Sequence, residues 1–101
     1  MNEYKEYSKN GILILDGYYD SNNLKTGIWK EYDNSGVLII EEHYFNGKRN
    51  GIYKSFHTNG ALWCIGNFKN DLKDGEFKIH KEDGSIFKIQ TYLNDFLISE
   101  K

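Results

Sequence analysis

The chain repeats itself at a step of about 24 residues, and that period constrains its fold more than any other feature. Gly27, Gly51 and Gly75 stand at equal steps, as do Gly36, Gly60 and Gly84. Leu38, Leu62 and Ile86 keep the step, with Tyr44, Phe68 and Tyr92, then Trp29, Tyr53 and Phe77, then Lys30, Lys54 and Lys78. Tyr32, Phe56 and His80 form one more column. A partial copy comes first: Tyr7, Gly11, Leu13 and Tyr19 precede Tyr32, Gly36, Leu38 and Tyr44 by a constant step that is longer by a single position. The extra residue falls within 20–26, and an insertion there marks a loop. Repeats of this kind bury their apolar surface by stacking on their neighbours, so the chain is one domain over residues 1–101. It divides into a partial unit at 4–26 and units at 27–50, 51–74 and 75–98.

Each unit reads as two short strands, Ile28 to Asp33 and Val37 to Phe45 in the first full unit. Aromatic residues make up 16% of the chain, and such rings suit a pleated, half-buried surface. Between the strands stand Asn34-Ser35-Gly36, Thr58-Asn59-Gly60 and Glu82-Asp83-Gly84. Small polar residues leading into glycine fit a tight hairpin with the glycine at positive φ. Asn46-Gly47 is a second hairpin signal between units, and Asn70-Asp71 holds the same place. The expected fold is all-β: an antiparallel meander of hairpins forming a single elongated, twisted sheet. No segment keeps a helical period, although Phe96-Leu97-Ile98 is compatible with a short terminal helix.

The columns resemble a variant of the MORN repeat. Gly51-Ile52-Tyr53-Lys54-Ser55-Phe56-His57-Thr58-Asn59-Gly60-Ala61-Leu62 carries the likeness best, and Tyr44-Phe45-Asn46-Gly47-Lys48-Arg49-Asn50-Gly51 matches the connector. The likeness runs from about Tyr7 to about Leu93, and is nearest to the bacterial YwqK-family antitoxins. It implies a neutralising contact with a protein toxin. The third unit departs from the pattern at His80 and at Asp71-Leu72, which puts its turn in question.

Equal parity places Leu13, Leu38, Leu62 and Ile86 on one strand face with Tyr19, Tyr44, Phe68 and Tyr92, the expected core. The other face is then expected to carry Ile14, Ile39, Trp63 and Phe87, followed by Asp16, Glu41, Ile65 and Ile89. It grows more apolar toward the C-terminus, so Trp63, Ile65, Phe87 and Ile89 are the candidate partner-binding patch. The competing expectation is that a coiled sheet or the C-terminal segment covers them. Lys30, Lys54 and Lys78 form a row about 10 Å apart, two strands per step. They read as a basic stripe for phosphates or an acidic protein, or as a solvated face that deters aggregation. Glu31, Asp33 and Glu76 dilute the charge and favour the latter.

No catalytic constellation, metal-ligand spacing or phosphate loop is present in the sequence, so neither enzyme chemistry, a metal nor a cofactor is expected. His43, His57 and His80 are isolated, and Cys64 reads as a small apolar residue on the core face. A net charge of −2 gives no general attraction for nucleic acid. The single cysteine and the polar first ten residues suggest a cytoplasmic protein. The expected function is a non-catalytic binding protein that neutralises a protein toxin or effector. The alternatives are a mobile-element-encoded inhibitor of a host nuclease defence complex and a membrane-surface or lipid-binding adaptor, against which the net charge argues. A homodimer is a further way to cover the exposed surface of a small single-layer sheet.

Overall fold

The computed structural model describes residues 1–101. Ten strands run in chain order: β1 (Asn2–Tyr7), β2 (Leu13–Tyr19), β3 (Lys25–Tyr32), β4 (Leu38–Phe45), β5 (Lys48–Phe56), β6 (Leu62–Lys69), β7 (Leu72–Lys73), β8 (Gly75–His80), β9 (Ile86–Leu93) and β10 (Phe96–Glu100). They form one open antiparallel sheet in sequential order, with β7 and β8 both paired to β6. There is no helix, so Phe96-Leu97-Ile98 departs from the helical alternative. Leu97 instead pairs with Tyr92 on β9, because a hairpin at Asn94-Asp95 turns the chain back onto the sheet. The Cα envelope measures 40 × 32 × 15 Å, the thickness of a curved single layer.

Two turn types alternate. Within a unit, the Gly36 N–H donates to the Asp33 carbonyl at 3.0 Å, while the Asp33 carboxylate accepts from the N–H groups of Ser35 and Val37. The matching glycine of the next unit, Gly60, has φ +89°, and a Cβ there would meet nothing within 4 Å. Gly60→Val is therefore a test of backbone strain alone. It is expected to cost about 1–2 kcal/mol, seen as a lower urea midpoint.

Between units, Asn46-Gly47, Asn70-Asp71 and Asn94-Asp95 each hold two successive positive φ values, the mirror-image turn that matches strand twist. The turn questioned at Asp71 is thus retained. Asparagine and aspartate tolerate this conformation, and here the carboxylate gains partners. The Asp71 N–H donates to the Arg49 carbonyl at 2.9 Å, and its Oδ1 accepts from the Arg49 N–H at 2.8 Å and Nε at 3.2 Å. Asp95 clasps Lys73 in the same way, at 2.9 and 3.0 Å. Gly47 makes only the backbone half of this clasp, to the Lys25 carbonyl.

The Arg49 backbone N–H, and then its guanidinium, hold the Asp71 carboxyl below the usual carboxylate range. A depressed folded-state pKa stabilises the fold above the ordinary value, and that contribution is lost as pH falls through the folded one. Asp71→Asn is expected to flatten the acid limb of a stability–pH profile. Because Asp71 is solvent-exposed, the loss at neutral pH should be small.

Only six of the 101 residues are buried, and the hydrophobic ones are Trp29, Phe68 and Phe77. This core is a ladder of rings on one face. Tyr4, Tyr19, Trp29 and Tyr44 form one cluster, and Tyr53, Phe68, Phe77 and Tyr92 a second. Most neighbouring rings meet edge to face, Phe68 and Phe77 at 5.6 Å and Phe77 and Tyr92 at 5.4 Å, while Tyr4 stacks on Trp29.

Each cluster is built over one glycine. The Trp29 indole lies on Gly17, where an added Cβ would fall 2.1 Å from the ring. Phe77 lies on Gly66, where the distance would be 2.3 Å. Glu42 and Gln90 occupy the same column and accept from the hydroxyls of Tyr44 and Tyr92. The packing period is thus twice the sequence period, as the steps from Trp29 to Phe77 and from Tyr4 to Tyr53 show.

The expected facing of the strands is corrected by a one-residue β-bulge in every unit. Glu31 pairs with Ile40 but Tyr32 pairs with Leu38, so Ile39 is the extra residue. Trp63 is extra between Cys64, opposite Ser55, and Leu62, opposite Phe56. Phe87 is extra between Lys88, opposite Ile79, and Ile86, opposite His80. Directly opposed residues share a face, so Leu38 and Leu62 lie on the face away from the rings. The bulge residues Ile39, Trp63 and Phe87 turn toward the rings beside Ile40, Cys64 and Lys88. Lys88 Nζ indeed sits 5.1 Å from the centre of the Phe87 ring.

Candidate functional site: a cleft on the aromatic face

Curvature of the sheet opens a cleft of about 1070 Å³ on the ring-bearing face. Ile39 and Ile40 from β4, Cys64 from β6 and Ile79 from β8 give it an apolar lining, with Tyr53, Phe68 and Phe77 alongside. Ser55, opposite both Ile40 and Cys64, is a small side chain that leaves room in its middle. Arg49 and Lys73 contribute cations, and Glu42 and Glu82 balance them.

Trp63 forms a wall of this cleft and is 50% exposed. Its ring stacks on His57 at 5.0 Å between centroids and 20° between planes. His57 is itself fixed, since its Nε2–H donates to the His80 carbonyl at 2.8 Å. The indole is thus a large apolar surface held in place before any partner arrives, which lowers the entropy cost of binding.

The Cys64 thiol and the Tyr53 phenol of the cleft keep their protons at neutral pH. Burial pushes the Cys64 thiol up, and it also raises the Tyr53 phenol. Burial and the adjacent Glu42 carboxylate push Tyr44 up to about 12. What the cleft offers a ligand is apolar and aromatic area, bordered by the charged groups of Arg49, Lys73, Glu42 and Glu82. His43, His57 and His80 join no cluster of three side chains suited to a metal ion.

The structure divides the proposed patch. Trp63 and Phe87 stand on the aromatic face, whereas Ile65 and Ile89 stand on the opposite one. The four therefore do not form one surface; the bulge at Trp63 and Phe87 reverses parity between the members of each pair. Ile65 and Ile89 join the lysines instead. Register carries one row across the sheet: Lys5, Asp16, Lys30, Glu41, Lys54, Ile65, Lys78 and Ile89. Lys30 lies between Asp16 and Glu41, so its charge is diluted by cross-strand carboxylates rather than by Glu31, which faces the rings. Lys54 and Lys78 flank Ile65.

A second cationic column was not singled out from sequence. Lys25 Nζ lies 4.7 Å from the Trp29 ring centre and 4.9 Å from that of Tyr44. Arg49 covers Phe68 at 4.1 Å, and Lys73 covers Tyr92 at 4.7 Å. These cationic groups lie over the ring faces and cover the open ladder by cation–π contact. The signal was their own spacing, which equals that of the glycine columns.

Residues 25–46 and 49–70 match the family model described as MORN repeat variant. These two segments are similar to MORN repeats. Each spans one hairpin, β3–β4 or β5–β6, and begins at a ring-covering cation, Lys25 or Arg49. The two matched hairpins supply the cleft's Ile40, Arg49, Tyr53 and Trp63. No curated protein matches the chain. No helix is long and apolar enough to cross a membrane.

Proposed function

We propose that this MORN-repeat chain is a non-catalytic protein-binding module that neutralises a protein toxin or effector by direct contact, in the manner of the antitoxins it resembles. The observation that carries the reading is the open apolar cleft walled by a prefixed, half-exposed tryptophan. Specific sites are concave and mostly apolar, with few polar groups, and tryptophan is among the residues most enriched at interface hot spots. A lipid-binding adaptor is less favoured, because the lysine row alternates with Asp16 and Glu41 over its first half.

Affinity capture from the native host, followed by titration of the captured protein, tests the proposal. Trp63→Ala should weaken binding by about 2 kcal/mol, roughly thirty-fold. Its far-ultraviolet circular dichroism should stay unchanged, since the ring lies outside the buried core. Full affinity in a folded Trp63→Ala variant would remove the cleft as the contact surface.

A further inference from the structure

The two edges of the sheet are built differently. β1 presents Glu3, Lys5 and Glu6, all exposed, with Lys5 paired to Glu3 at 3.3 Å and to Asp16 at 3.1 Å. Charges of this sort are how natural edge strands deter pairing with another chain. β10 has a neighbour on one side only, yet Phe96, Leu97 and Ile98 are 75%, 49% and 61% exposed.

The repeat makes this contrast specific. Leu97 falls in the column of Lys25, Arg49 and Lys73, and Ser99 in the column of Gly27, Gly51 and Gly75. Strands β3 and β5 are interior, and β7 leads directly into β8, which lies between β6 and β9; each of the three keeps a cation in that column. Only at the open edge, where a lysine would be protective, does the column turn apolar. Leu93, opposite Phe96, is also exposed, so the apolar character extends onto β9.

We propose that the β10 edge is an interaction surface whose occupant is a second copy of this chain, the two β10 strands pairing antiparallel about a two-fold axis. Self-complementarity selects this occupant. Pairing β10 with β1 of another copy would press Phe96, Leu97 and Ile98 against Glu3, Lys5 and Glu6, and would propagate into an open filament. Pairing β10 with β10 sets apolar against apolar and closes. Glu100, the only charged residue of the strand, is already engaged by Lys88 at 3.0 Å and by Gln90 at 3.3 Å. The resulting dimer keeps both Trp63 clefts, several strands away, free for partners.

Light scattering coupled to size exclusion, on the full 101-residue chain across micromolar concentrations, tests the assembly. The expected result is twice the chain mass, with a dissociation constant raised at least ten-fold by the double substitution Leu97→Lys and Ile98→Lys. A monomer at every concentration would overturn the proposal. So would a dimer indifferent to that substitution while its β-type circular dichroism persists, or a mass that keeps growing with concentration. Should the variant lose its β signal, amide hydrogen exchange of the unaltered chain decides. Slower exchange at Leu97 to Glu100 in concentrated than in dilute samples supports pairing there, and equal exchange contradicts it.

Discussion

Replacing Gly66 with alanine should cost at least about 3 kcal/mol, a larger loss than most single substitutions produce. The new Cβ would stand 2.3 Å from Cδ2 of Phe77 and 2.4 Å from its Cε2, far inside van der Waals contact. Gly66 lies in mid-strand with no positive φ, so its backbone would suit alanine and the whole effect is steric. The ring has no easy retreat, because Phe68, Tyr92 and Tyr53 pack round it and Lys73 covers it at 5.5 Å. Its displacement would open both the cluster and the floor of the cleft. Gly75→Ala is the informative counterpart. Gly75 has φ +90° and nothing within 4 Å, so only backbone strain opposes the change. Urea unfolding should rank Gly66→Ala well below Gly75→Ala; equal midpoints would mean that ring-over-glycine packing does not hold the sheet together.

Phe77→Ala should remove about 3–5 kcal/mol, the usual cost of deleting a buried phenylalanine. Phe77 is 4% exposed and is the hub of the second ring cluster. Domains are stable by only about 5–15 kcal/mol, and this one buries three hydrophobic residues in all. The variant should therefore approach the unfolding threshold, with a broadened thermal transition and lost near-ultraviolet signal. Phe87→Ala, at a 59% exposed ring, should leave the midpoint nearly unchanged. Similar losses for the two would deny that the ladder is the core.

Much of the fold is legible in the chain because its cause is local. Gly36 and Gly60 sit at positive φ as their turns demand, and the Asn46-Gly47 connector adopts the expected mirror-image turn. The repeat also gives the strand order, since consecutive hairpins of this length have no other way to pair. Strand facing is a different matter. Parity counting assumes an unbroken pleat, whereas a bulge adds one residue to one strand and reverses everything beyond it. That is why Leu38 and Leu62 left the ring face and Trp63 came to it. The doubled packing period stands in the sequence as Gly17, Glu42, Gly66 and Gln90, but only geometry gives it meaning: a broad ring needs bare backbone beneath it. The cleft likewise depends on sheet curvature, a property of all the strands together.

The central claim is that a protein partner covers Trp63. Acrylamide quenching of tryptophan fluorescence addresses it directly, since the chain has two tryptophans of opposite exposure. Trp29 is 3% exposed and Trp63 is 50% exposed. The free protein should show one quenchable and one protected population. In the complex with a captured, tryptophan-free segment of the partner, the quenchable population should vanish and its emission shift to the blue. Quenching of Trp63 that is unchanged in a saturated complex would contradict the assignment of the cleft and place the contact elsewhere on the sheet.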